Sequence, residues 1–131
     1  MKVLIAEDDF TSNLLLQGLL KPYGVADIVN NGKEAVAAVR TALEARKYYD
    51  LIFLDIMMPE MDGQTALKQI RDLEIAAGLL TTDCAKVVMT TALDDKNNVM
   101  TAFREQCDAY LVKPIDKAKL VENLRKLALI P

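Results

Sequence analysis

Five short runs of apolar residues are spaced along the chain, and each has the length of a β-strand. At least three of them are nearly continuous, which is typical of parallel strands that are buried on both faces of a sheet. The predicted strands cover residues 3–6, 25–29, 51–54, 85–89 and 109–112.

The segments between these runs show the helical period instead. Apolar residues recur there at spacings of three or four, which places them on one helix face turned toward a sheet. The residues that carry this pattern are Val36, Val39 and Leu43, then Ala66, Ile70 and Leu73, and finally Leu120, Leu124 and Leu127. The predicted helix caps are Asn31 (with Glu34 as a capping-box partner), Asp62 and Asp116.

Strand and helix patterns alternate five times within 131 residues. This order predicts an α/β fold: a doubly wound, five-stranded parallel sheet of the flavodoxin-like (βα)5 type with right-handed crossovers. We found no repeat, linker or low-complexity tract, so residues 1–131 are predicted to form a single domain. Residues 78–83 are predicted to be a surface loop.

Charged or hydroxyl side chains follow four of the five predicted strands. Because the carboxyl ends of parallel strands share one edge of the sheet, these side chains are expected to meet there. They are Glu7-Asp8-Asp9 after the first strand, Asp55 after the third, Thr90-Thr91 after the fourth and Lys113-Pro114 after the fifth. The second strand ends in Asn30-Asn31 and adds no such group, which suits an edge strand and favours the order 2-1-3-4-5.

The expected cluster of Asp8, Asp9 and Asp55 would be strongly repulsive without a cation. Mg²⁺ fits such a cluster because it takes one or two carboxylates and often contacts phosphate oxygens. Together with a lysine and a threonine hydroxyl, this set suits in-line transfer of a phosphoryl group onto an aspartate.

The composition excludes several other classes of function. The chain has no histidine, which removes histidine acid–base catalysis and the usual zinc sites. Its net charge of −3 argues against a nucleic-acid surface. No apolar run is long enough for a signal peptide or a membrane span, and Cys84 and Cys107 read as free thiols. We therefore expect a cytoplasmic protein that contacts neither membrane nor nucleic acid.

Four motifs resemble those of the receiver domains of bacterial response regulators, including the chemotaxis-regulator type, and the likeness runs nearly from end to end. They are IAEDD at residues 5–9, LDIMMPEMDG at 54–63, MTTA at 89–92 and DAYLVKP at 108–114. The resemblance implies that Asp55 is the phosphoacceptor and that Asp8 and Asp9 hold Mg²⁺, with Asp9 preferred as the direct ligand. It further implies Met57 as a ligand through its backbone carbonyl, and Lys113 as the contact to the phosphoryl group.

The resemblance also implies a switch. Thr91 is expected to be the switch hydroxyl, with Thr90 as the alternative, and Tyr110 the switch aromatic. The output surface is expected at the fourth helix, fifth strand and fifth helix, and the Lys113–Pro114 peptide is expected to be cis. The implied partners are a sensor histidine kinase or a histidine phosphotransfer protein, which must supply the phosphohistidine, and an unknown downstream protein.

This interpretation describes a signalling domain rather than an enzyme, with self-phosphorylation from small donors and slow autodephosphorylation. One alternative is a small phosphatase or phosphotransferase with an aspartate nucleophile, but Ile56-Met57 leaves no second carboxylate after Asp55. Others are a flavin or nucleotide module, which would need a phosphate loop the chain lacks, a scaffold that has lost phosphorylation, and a receiver module cut from a longer regulator. Asp8-Asp9 could also simply cap the first helix, and Tyr110 could simply be core.

Overall fold

The structure is a computed structural model and describes residues 1–92 and 107–131. The strands are β1 (Lys2–Ala6), β2 (Val25–Val29), β3 (Leu51–Asp55), β4 (Lys86–Thr91) and β5 (Ala109–Val112). The helices are α1 (Phe10–Leu20), α2 (Gly32–Glu44), α3 (Gly63–Ala76) and the C-terminal α4 (Lys117–Lys126). The predicted helix between the fourth and fifth strands lies outside the described residues.

All five strands are parallel and lie in the order β2-β1-β3-β4-β5, which confirms the predicted topology. Every residue of the central strand β3 is buried, as its continuous apolar run predicted. Both β3 and β4 extend into polar residues, since Asp55 pairs with Thr90 across the ladder. The backbone ladder continues there because hydrogen bonding between strands does not depend on side-chain polarity.

Alternate residues of each strand feed two cores on opposite faces of the sheet. Leu4, Ile52 and Leu54 pack with α2 and α3 on one face. Val3 and Phe53 pack with α1 and α4 on the other. The predicted helix faces supply these contacts: Val36, Val39, Ala66, Ile70, Leu120 and Leu124 are all buried.

The three predicted helix caps are confirmed. Asn31 Oδ1 accepts a hydrogen bond from Glu34 N at 2.8 Å, and the Glu34 carboxylate bonds Asn30 N at 2.9 Å. Asp62 caps α3 through Thr65 N at 2.8 Å. Asp116 caps α4 through Lys119 N at 3.2 Å.

The long segment before β4 contains a short 3₁₀ helix, Thr81–Asp83, within otherwise exposed backbone, so it is largely the surface loop predicted. Over residues 1–92 and 107–131, no helix is long and apolar enough to cross a bilayer.

Candidate metal and phosphoacceptor site

Asp55 ends β3 at the carboxyl edge of the sheet and is 5% exposed. Its Oδ2 accepts a hydrogen bond from Lys113 Nζ at 2.9 Å, and its Oδ1 accepts one from Met57 N at 3.3 Å. The carboxylate is therefore held between its own loop and the end of β5.

Lys113 follows β5, where its backbone N–H donates to the Thr91 carbonyl at 2.8 Å. The Lys113–Pro114 peptide is cis, as the resemblance implied. Besides Asp55, Nζ lies 2.6 Å from Glu7 Oε1. Burial works to lower the pKa of Lys113, but the hydrogen bonds and negative charges of Glu7 and Asp55 outweigh it and raise this pKa.

Glu7 directly follows β1 and is only 1% exposed. Its Oε2 accepts a hydrogen bond from Asp9 N at 3.2 Å. Its Oε1 lies in the ion pair with Lys113, whose ammonium it shares with Asp55. Burial and the neighbouring Asp55 carboxyl raise the pKa of Glu7 to about 7, against the opposing effect of Lys113.

Three carboxylates meet at this edge of the sheet. Glu7, Asp8 and Asp55 each offer an oxygen, and these oxygens lie within 4.8 Å of one another. One lysine ammonium is shared between two of the groups, so negative charge is in excess. An all-oxygen donor set with excess negative charge fits Mg²⁺, a hard cation that binds carboxylate oxygens. The residues present therefore fit the metal that the sequence predicted.

The two threonines at the end of β4 are buried, and Thr91 Oγ1 donates to the Ala92 carbonyl at 3.1 Å. Tyr110 on β5 is 40% exposed, so it is not the plain core residue of the alternative interpretation. The Met57 side chain is 67% exposed. Its backbone carbonyl as a metal ligand stays a prediction, as do the switch roles of Thr91 and Tyr110.

The family model for the response regulator receiver domain matches residues 3–125. The chain belongs to this family. Among curated relatives, the receiver is 32% identical over 125 residues to the transcriptional regulatory protein ZraR of Salmonella typhimurium, covering 95% of this chain but 25% of ZraR. It is 31% identical over 133 residues to the chemotaxis protein CheY of Listeria monocytogenes, covering 98% of both.

Solved receiver structures agree. The receiver domain of the histidine kinase CKI1 from Arabidopsis thaliana, complexed with Mg²⁺ and BeF₃⁻, matches with a TM-score of 0.81 and 30% identity over 97% of this chain and 89% of that one. The receiver domain of Ssk1, co-crystallised with the histidine phosphotransfer protein Ypd1 of Saccharomyces cerevisiae, matches with a TM-score of 0.79 and 27% identity over 97% and 88%.

The receiver differs from the sequence prediction in which acidic residues join Asp55. The Asp9 carboxylate caps α1, accepting from Ser12 N at 3.0 Å and Ser12 Oγ at 2.6 Å. These bonds lower the pKa of Asp9. Asp9 is not part of the three-carboxylate group. In this structure it caps α1, as in the alternative interpretation of the sequence.

Glu7, rather than Asp9, is grouped with Asp8 and Asp55 in the structure. The sequence analysis placed Glu7 at this edge of the sheet without assigning it to the metal set. Its position directly after an apolar strand, like that of Asp55, did not by itself separate it from Asp8 and Asp9. The register explains the grouping: Ala6 pairs with Leu54, so the next residues along, Glu7 and Asp55, lie side by side.

Proposed function

We propose that this receiver is a phosphorylation switch in which Asp55 accepts a phosphoryl group in a Mg²⁺-dependent reaction. The observation that carries the proposal is the buried Asp55 carboxylate, 2.9 Å from Lys113 Nζ and grouped with Glu7 and Asp8. A nucleophile, a fixed cation and a carboxylate set suited to a metal are thus brought together from three strand ends. We treat residues 1–131 as one receiver domain and place it in the cytoplasm.

An Asp55 carboxylate oxygen attacks the donor phosphorus, and the donor leaves with the electrons of its own bond to phosphorus. The product is an acyl phosphate on Asp55. Lys113, already beside both carboxylates, contacts an oxygen of the incoming phosphoryl group and offsets its charge. Bound Mg²⁺ supplies further positive charge at that group, with Glu7, Asp8 and Asp55 as the residues that would hold it.

We propose slow autodephosphorylation rather than turnover by this chain. A phosphatase of this class would use a second carboxylate just after its nucleophile, and Met57 occupies that position with an exposed apolar side chain. Without an acid or base there, water attack on the acyl phosphate has no dedicated proton acceptor in that position.

The physiological donor is proposed to be a partner's phosphohistidine, since this chain contains no histidine. The supporting finding is that the similar Ssk1 receiver forms a complex with a histidine phosphotransfer protein. A sensor histidine kinase is the other candidate donor. The same role for Asp55 applies to a free-standing receiver, as in the CheY relatives, and to a receiver within a longer regulator such as ZraR.

We propose that the phosphorylated state is read by an unidentified protein at the surface of β5 and α4, together with the predicted preceding helix. Thr91 ends β4 one residue beyond Thr90, the register partner of Asp55, and we propose that its hydroxyl turns from the Ala92 carbonyl toward the phosphoryl group. Tyr110 supports the proposal because its ring is 40% exposed and is therefore not fixed in the core. The predicted movement draws the loop of residues 92–95 inward and reaches residues 99–103, and of these all but Ala92 lie outside the described residues.

The test is incubation with acetyl phosphate and Mg²⁺, borohydride trapping and peptide mass spectrometry. Label on the Asp55 peptide, lost in Asp55→Asn and after chelation, is expected. Asp72→Asn is the matched control, because it removes an exposed carboxylate from α3 and should leave labelling unchanged. Label that persists in Asp55→Asn would refute the assignment.

A further inference from the structure

The turn between β2 and α2, residues 29–32, carries none of the charged groups of the site. Beyond the helix cap at Asn31, its sequence indicates no part in the site. In the structure it is bonded through its backbone to both segments that do carry those groups.

The first contact is to the acidic segment. The Val29 carbonyl accepts a hydrogen bond from Glu7 N at 3.2 Å. On the α1 side, Asn13 Nδ2 donates to the Glu7 carbonyl at 3.3 Å. The main chain of Glu7 is thus held from both sides, and the end of β2 is one of them.

The second contact is to the loop that follows Asp55. Gly32 N donates to the Met61 carbonyl at 3.0 Å. A Cβ atom at position 32 would overlap that carbonyl oxygen and come within 3.1 Å of the Asp62 carbonyl oxygen. The φ of Gly32 is not in the left-handed region, so its backbone conformation alone would allow another residue. Glycine is needed here because the two backbones approach too closely for a Cβ atom.

The loop of residues 56–62 transmits this contact to Asp55. Gly63 N donates to the Ile56 carbonyl at 2.9 Å, and a Cβ at position 63 would overlap the Asp55 carbonyl oxygen. Within the loop, Glu60 has a φ of 67° and Met61 N donates to the Pro59 carbonyl at 2.7 Å. We therefore expect a displacement of Met61 to shift the backbone at Asp55.

We propose that residues 29–32 brace the metal site, with Gly32 as the positioning residue that sets the spacing between the Glu7 and Asp55 segments. The carboxylates repel one another without a cation, and backbone hydrogen bonds to a common turn oppose their separation. A site held close before metal arrives binds it more tightly than one that must be gathered. This inference rests on the proposed Mg²⁺-dependent function.

Calorimetric Mg²⁺ titration of Gly32→Ala tests the brace. Because the new Cβ pushes Met61 away, we expect about tenfold weaker Mg²⁺ binding, the lower end of what residues behind metal ligands contribute. The rate of labelling by acetyl phosphate should recover when Mg²⁺ is raised to saturation.

Gly24→Ala is the matched control. Its Cβ would overlap the Met1 carbonyl oxygen, so the steric clash is of the same kind as in Gly32→Ala but lies at the opposite edge of the sheet. It should lower stability and leave Mg²⁺ affinity unchanged. Gly18→Ala, where the space is open, gives the baseline for adding a methyl group.

Amide hydrogen exchange on the wild-type chain decides the matter even if Gly32→Ala does not fold. On adding Mg²⁺, exchange at the Gly32 and Glu7 amides should slow beyond that at Val25, whose amide bonds the Met1 carbonyl at 3.2 Å at the far edge. Wild-type chain that binds no Mg²⁺ would overturn the proposed function and the brace together. If the wild-type chain binds Mg²⁺ but the exchange rate of the Gly32 amide does not change, the brace alone is overturned. The same follows if the Gly32→Ala and Gly24→Ala chains bind Mg²⁺ with equal affinity.

Discussion

Two buried glutamates lie at opposite edges of the sheet, and their surroundings differ. Glu74, at the amino edge, is 2% exposed. Its Oε1 accepts from Arg71 Nη1 at 2.7 Å and its Oε2 from Ala85 N at 2.8 Å. Each oxygen therefore has its own donor, and Arg71 reaches on to Asp108 at 3.1 Å.

Glu7, at the carboxyl edge, is equally buried, but its charged partner is shared. Its Oε1 pairs with the Lys113 ammonium, which Asp55 also contacts. Its pKa is raised to about 7, chiefly by burial. The contrast teaches that one buried carboxylate can have a separate donor for each oxygen, whereas another shares its cation with a second carboxylate and has a raised pKa.

The largest expected loss of stability comes from removing Glu74 at the amino edge of the sheet. Glu74→Ala should lower the free energy of unfolding by about 3 kcal/mol, because Arg71 loses its closest carboxylate and the buried Ala85 N–H loses its acceptor. Urea unfolding without metal measures it. Glu122→Ala, which breaks an exposed pair with Lys126, should cost about 0.5 kcal/mol or less. Equal losses in the two variants would break the comparison.

The next effect is the pH dependence of stability at Glu7. Its pKa is about 7 in the folded chain against 4.5 for an ordinary glutamate, so between these values the folded state keeps a proton that the unfolded state has released. Stability without metal should therefore fall as pH rises through this window, by at most ~3 kcal/mol.

Glu7→Gln isolates that contribution, because all other groups still titrate. The difference in unfolding free energy between Glu7→Gln and wild type should grow in favour of the variant from about pH 4.5 to about pH 7. Parallel stability profiles for the two chains would show that Glu7 is not the strained carboxylate.

Mg²⁺ should reverse the strain at the carboxyl edge. Metal at about 100 times its dissociation constant should add about 2.7 kcal/mol to wild-type stability, seen as a raised melting temperature. Asp8→Ala should abolish the increase. Asp9→Ala should keep the increase while lowering the metal-free stability, because the α1 cap is lost. The opposite pattern would restore Asp9 as the direct ligand that the sequence predicted.

The smallest expected loss of stability is again at the amino edge of the sheet, at Tyr49. Tyr49 OH donates to Asp27 Oδ2 at 2.6 Å, and burial followed by this carboxylate raises the pKa of Tyr49. Tyr49→Phe should therefore lower stability by about 1 kcal/mol, with no change in the melting-temperature increase caused by Mg²⁺. An altered Mg²⁺ response would show that the two edges are coupled.

Much of the fold was predictable because each described strand and helix has a recognisable pattern in its own residues. Short apolar runs marked all five strands to within a few residues, and the caps at Asn31, Asp62 and Asp116 were read correctly from single side chains. The polar residues after the strands were enough to predict that Asp55 and Lys113 meet.

The choice among Glu7, Asp8 and Asp9 could not be made from the sequence, because three adjacent acids follow one strand and only the register decides which faces Asp55. Pairing of Ala6 with Leu54 brings Glu7 beside Asp55, whereas the start of α1 turns Asp9 onto Ser12. The role of Gly32 was equally hidden, since nothing local shows that the Met61 carbonyl approaches it.

By itself the sequence determined the order of elements, the strand topology and the edge at which the chemistry collects, because these follow from hydrophobic period and strand polarity. Only the tertiary structure decided which carboxylate shares the lysine with Asp55, which one caps a helix and which turn touches both halves of the site. Those outcomes depend on contacts between residues far apart in sequence, where a shift of one residue exchanges a buried side chain for an exposed one.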